Sequence, residues 1–187
     1  MARIPYPDLD ALDPEVGAFM KRIDPMVNVF HMMAHAQQSV RPFMRFGNAL
    51  LFKTELDPIL RELVILRVGH VTGAHYEVHQ HRIIARKVGT PQDKIDAVPD
   101  GPDAPVFSEA ERAALKLTDE VLANVRASDE TFEACRKHFD ARQLSELLLL
   151  IGFYQMLAGF LVNLEVELEP EGVIEDPLKP AAKPSSS

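Results

Sequence analysis

A second cysteine is missing from this sequence. Cys135 stands alone in 187 residues, so no intramolecular disulfide forms and no pair of thiols can cycle through a resolving step. Such a chain suits a reducing compartment, and the cytoplasm is the expected location. A basic surplus is missing too. The 28 acidic residues outnumber 20 Lys and Arg, for a net charge of −8, which argues against nucleic acid and anionic membranes as partners. The opening MARIPYPDLDALDPE has no basic start followed by an apolar run, so no secretory leader is expected. Period-two alternation between hairpin turns is absent, and so is any repeat period. HExxH and a downstream Cys–His cluster are absent as well, and no metal is expected.

What is present is helical patterning over one domain. Residues 1–13 read as an extended N-terminal segment, 14–169 as a single helical domain, and 170–187 as a flexible tail. Helices are expected at about 14–23, 26–36 and 38–52, with Pro14, Pro25 and Pro42 near starts or first turns. Asp57-Pro58 pairs an N-cap with a first-position proline, opening a helix to about Val71 that Thr72-Gly73 breaks. The next runs over about 74–88 to Gly89, and a short one over 91–97. Ser108 and Glu111 form a capping box for a helix to about Val125, and Ser128 or Asp129 caps another to Phe139. The last helix spans about 142–167 and contains LLLLIGFYQMLAGFLVNL. That run is near the minimum for a bilayer span, but it holds Gln155 and Asn163 and is flanked by acids, so it is expected in a core with one face in a subunit interface.

The chemistry-bearing stretch is RELVILRVGHVTGAHYEVHQHRIIARKVG, residues 61–89. On a wheel of about 100° per residue, Glu77 and His81 fall inside the apolar stripe with Ala74, Val78, Ile84, Ala85 and Val88. His75, His79, Arg82 and Arg86 collect opposite. The preceding helix is apolar on nearly every side; Glu62 shares a face with Ile59 and Leu66, and Arg61 and Arg67 are its charged outlets. Two carboxyls and an imidazole in a dry hollow have displaced, coupled pKa values and can hold a proton for delivery. The same set also has a structural reading, as a buried polar pair with Glu62 bonded to an Arg or a helix end. HYEVHQH is rich in metal-ligand types, yet His75/His79 and Glu77/His81 lie on opposite faces, so one ion cannot collect all four. His31 and His35 are a further i,i+4 pair that either lines a pocket or stays half exposed.

LDPILRELVILRVGHVTGAHYEVHQHRIIARKVG, together with the long apolar helix ending in NLEVELEP, resembles the carboxymuconolactone decarboxylase and alkylhydroperoxidase D-like family over roughly residues 28–168. The resemblance implies an all-α, alkylhydroperoxidase D-like multi-helix bundle that forms homo-oligomers, trimers or hexamers. The family's peroxidase branch uses a glutamate, a Cys-x-x-Cys and a histidine. Aligned on that motif, Glu62 and His81 match, while Ala74 and Glu77 fill the two cysteine positions. Without a thiolate there is no peroxidatic sulfur, so the chain resembles the cysteine-free branch, whose named activity is decarboxylation of a carboxylated lactone in aromatic-acid breakdown.

The resemblance implies a cofactor-independent lyase with Glu62, Glu77 and His81 as catalytic residues and Tyr76 as a hydrogen-bond donor. Arg41, Arg45, Arg61 and Arg67 are candidate cations for a substrate carboxylate, Arg41 and Arg45 being taken as substrate-binding. Neither a cofactor nor a metal is required. The competing readings are a non-catalytic, oligomeric small-molecule-binding protein and a metal-dependent enzyme.

Overall fold

A computed structural model describes residues 1–170, and the expected tail from 170 onward otherwise lies outside the described residues. Among these the chain is all helical: α1 (Pro14–Met20), α2 (Asn28–Met33), α3 (Gln37–Phe52), α4 (Pro58–Thr72), α5 (His75–Lys87), α6 (Gln92–Ala97), a 3-10 turn (Val98–Asp100), α7 (Glu109–Asn124), α8 (Asp129–Arg136) and α9 (Ala141–Leu164). They form two compact units. Among the described residues the first holds 1–46 and 163–170, and the second holds Gly47–Val162.

In the first unit the N-terminal segment is pinned by side chains of the helices that follow it. His31 Nε2 meets the Pro7 carbonyl at 3.0 Å and His35 Nε2 the Pro5 carbonyl at 2.8 Å. Tyr6 lies against the His31 ring, with centroids 5.1 Å apart. The expected histidine pair is thus a strap anchor. Asp13 caps α1 by accepting from Glu15 N at 2.9 Å. Pro42, expected near a helix start, lies inside α3; lacking an N–H, it forgoes one bond of the helical ladder there.

The second unit is organised around α4. Asp57 accepts from Ile59 N at 2.9 Å and Leu60 N at 3.0 Å, with Pro58 in the first turn, so the orphan donors of the helix start are satisfied by the pair the sequence displays. Helices α5, α6 and α7 all pack on α4. Leu63, Leu66, Ala85, Ile95, Val98, Phe107 and Leu115 make one buried cluster, each large side chain adding roughly 1.5–3 kcal/mol by leaving water. Because α4 is covered on several sides, its arginines are not the solvent outlets expected. Arg61 is 6 % exposed, and Arg67 is tied to Asp119 by bonds of 2.6 and 2.9 Å and to the Val98 and Pro99 carbonyls.

Helix α7 opens on the expected capping box, Ser108 N donating to Glu111 Oε2 at 2.7 Å and Glu111 N to Ser108 Oγ at 3.3 Å. Helix α9 stops at Leu164 rather than near 167, with Glu165 in the left-handed region at φ 50°. It is long and apolar enough to cross a membrane by length and composition. One stripe, Leu144, Leu147, Leu150, Ile151, Tyr154, Ala158 and Leu161, is buried. Leu149, Met156 and Val162 remain exposed on another.

Candidate functional site

The site is built by a hairpin of α4 and α5. Gly73 ends α4 in the left-handed conformation, φ 71°, where a Cβ would be strained. Ala74 N closes the cap on the Gly69 carbonyl at 2.9 Å, and α5 folds back along α4. Gly69 permits the close approach, since a Cβ there would meet Val78 Cγ2 at 2.8 Å and Glu77 Oε1 at 3.5 Å. The turn brings residue 81 opposite residue 62.

Glu62 is wholly buried and both its oxygens are occupied. Arg61 Nε donates to Oε1 at 3.0 Å, and His81 Nδ1 lies 2.7 Å from Oε2. Arg61 also donates through Nη1 to the Leu51 carbonyl at 2.5 Å, which holds the guanidinium and hence the carboxylate. A carboxylate accepts, so His81 carries its proton on Nδ1 and presents a lone pair at Nε2 when neutral. Tyr154 of α9 braces the imidazole edge-on, with centroids 5.0 Å apart at 89°, and Phe153 packs on Tyr154 in turn.

Glu77 differs from Glu62. It is 2 % exposed, and neither carboxyl oxygen has a hydrogen-bond partner among the described residues. Burial, uncompensated, pushes its carboxyl well above the usual carboxylate range, so it is held as the neutral acid. Burial also raises the Tyr154 phenol, and the Glu62 carboxylate adds to the rise.

The cluster pairs an acid with a base. Glu77 can donate a proton and has no competing partner among the described residues, and Nε2 of the Glu62-oriented imidazole can accept a hydrogen bond. Of the residues expected at the site, Glu62 and His81 are brought together, and Glu77 is buried one helical turn before His81 on α5. Tyr76 is buried on α5. Arg41 and Arg45 belong to the first unit, where Arg41 donates to the Glu15 carbonyl and lies over the Phe19 ring and Arg45 is exposed. His75 and His79 are exposed, on the opposite side of α5. Cys135 is buried, its thiol donates to the Ala113 carbonyl at 3.3 Å, and burial with the nearby Glu120 pushes it up to about 11, so no thiolate is available at neutral pH.

Sequence reasoning missed Tyr154 and the clamp made by Arg61. The signal for the tyrosine was present: its position continues the inward spacing of Leu147, Leu150 and Ile151, and a hydroxyl in such a stripe needs a polar neighbour.

Fold and site together define a helical-bundle protein with a buried acid–imidazole centre in a two-helix hairpin. The model of the carboxymuconolactone decarboxylase family matches residues 37–120. The chain is 30% identical to the uncharacterized protein YnjA of Escherichia coli over 129 residues, 68% of this chain and 69% of that protein. It belongs to the carboxymuconolactone decarboxylase family. A second relative, the uncharacterized protein YdfG of Bacillus subtilis, is 28% identical over 102 residues, 54% of this chain and 69% of that one. Among solved structures, a peroxidase-related protein from Ralstonia eutropha with an alkylhydroperoxidase AhpD core superposes with TM-score 0.78 at 22% identity, covering 91% of this chain and 93% of that one. The apo debrominase Bmp8 superposes with TM-score 0.73 at 16% identity, covering 88% and 90%. These likenesses show the alkylhydroperoxidase D-like fold.

Proposed function

We propose that this chain is a cofactor-independent lyase of decarboxylase type, acting on a small carboxylated lactone or an aromatic-derived acid. One observation carries the reading: a buried, unpartnered acid, Glu77, lies one helical turn from an imidazole oriented through Glu62. In the reaction the carbon–carbon bond to the substrate carboxylate breaks and carbon dioxide leaves. The electron pair moves into the ring carbonyl as a dienolate, and Glu77 delivers its proton to carbon. His81 then relays a proton from water to restore the acid. A dry site favours the step, because a desolvated carboxylate loses less on becoming neutral carbon dioxide.

The test is release of carbon dioxide from a carboxylated muconolactone by the purified chain. Glu77→Gln and His81→Ala are each expected to lower the rate by roughly a hundredfold or more, with helical circular dichroism retained. No release from a panel of carboxylated lactones and aromatic acids, or unchanged rates in both variants, would remove the mechanism. The closure of the site favours a second reading, since Glu77 and His81 are only 2 % and 7 % exposed. An oligomeric protein that binds a small molecule without turning it over would show ligand-dependent thermal stabilisation and no product.

Self-association is part of the proposal. The exposed stripe of α9, with Leu149 at 52 % and Met156 at 55 %, is too apolar to face water alone. At Leu148 it runs into a groove of about 480 Å³ whose lining includes Phe132, Phe139 and Leu144. A second copy of the chain covering this surface gives a trimer or hexamer in light scattering; a monodisperse monomer contradicts it.

A further inference from the structure

A protonated carboxyl offers two bonds side by side, donating through its hydroxyl and accepting through its carbonyl oxygen. In Glu77 both atoms are buried and neither has a partner, whereas in Glu62 both are occupied. Buried polar atoms are nearly always satisfied, and an exception in a native protein calls for a partner of another kind. Gly69 packs beside the carboxyl, where a Cβ would stand 3.5 Å from Oε1.

Among the described residues no cation is committed to Glu77. On α4, Arg61 serves Glu62 and the Leu51 carbonyl, and Arg67 serves Asp119. On α5, His81 faces Glu62. Helix α6, also packed on α5, turns Asp96 to Arg82 and Lys94 to Glu111. Tyr154 supplies a neutral phenol from α9. A substrate carboxylate placed directly on Glu77 would lack a counter-ion there, so the leaving carboxylate lies away from this acid. An uncharged edge with an acceptor beside a donor satisfies both oxygens at once.

Resting on the reading of Glu77 as the acid of the site, we infer that it recognises its ligand by a two-point hydrogen bond to an uncharged edge that carries a carbonyl beside an N–H or O–H, as in a ring amide. The ring amide of pyrrolidinone is the probe, titrated calorimetrically into the full chain at mildly acidic pH. It is expected to bind about tenfold more tightly than N-methylpyrrolidinone, whose donor is blocked, or butyrolactone, which only accepts; tenfold is about the net effect of one hydrogen bond.

The preference fades in the wild type as rising pH ionises Glu77. Glu77→Gln, which keeps a donor beside an acceptor, retains the preference at every pH, and Glu77→Leu abolishes it. Equal affinities in the wild type, no binding of any probe, or a preference that survives in Glu77→Leu overturns the inference. The two readings fail separately. Carbon dioxide release undiminished in Glu77→Gln, with the preference intact, removes only the proton donor; lost release without a preference removes only the recognition.

Discussion

Replacing Glu62 by alanine is expected to lower the stability of the folded chain by about 3–5 kcal/mol, the cost of removing one partner from a buried ion pair. The size follows from what is left behind. Arg61 is 6 % exposed, is always charged, and would keep only the Leu51 carbonyl as an acceptor. His81 Nδ1 would lose its 2.7 Å partner at the same moment. Urea unfolding measures the loss. Arg61→Met combined with Glu62→Ala should recover a large part of it, because no charge is then stranded. A loss under about 1 kcal/mol in the single variant would mean that Arg61 finds water, and the clamp would not be what orients the imidazole.

Glu77→Leu is expected to act in the opposite direction. The wild-type acid keeps two polar atoms out of water with no compensation, so an apolar side chain of similar size should stabilise by about 1–3 kcal/mol. The gain depends on pH with a definite sign. Burial raises Glu77 in the folded chain, so folded and unfolded chains are both protonated below the ordinary carboxylate range. As pH climbs through that range the unfolded chain gives up the proton first and is favoured. Wild-type stability then falls by up to about 1.4 kcal/mol per pH unit, until the folded acid also ionises. Glu77→Leu lacks this slope, so the stability difference between the two proteins should widen from acid toward neutral pH. Parallel pH profiles for the two proteins would show that Glu77 ionises in place and is not the stored proton.

Stability and chemistry therefore pull apart at the two carboxyls. The structure satisfies Glu62 fully and leaves Glu77 costly, and a residue kept at a cost to the fold is a mark of function.

Much of this site was legible from helical phase. Glu77 and His81 share a stripe with Val78 and Ile84, and that periodicity alone turns them inward. Asp57-Pro58, Thr72-Gly73 and the Ser108–Glu111 box mark helix ends because capping is local chemistry. What could not be read is what depends on neighbours from other elements. Arg61 looks like a solvent outlet until the rest of the unit closes around α4. Tyr154 stands far down the chain from His81, and no local pattern pairs them. Helix α9 ends at Leu164 although acidic and apolar residues continue past it, because the backbone turns left-handed at Glu165.

The glycine turn at residue 73 has a kinetic meaning as well. Glu62 and His81 are only 19 residues apart in sequence, so little chain entropy is lost in bringing them together, and short-range contacts of this kind form early. Tyr154 comes from much further along the chain, so packing it on His81 closes a longer loop at a larger entropy cost.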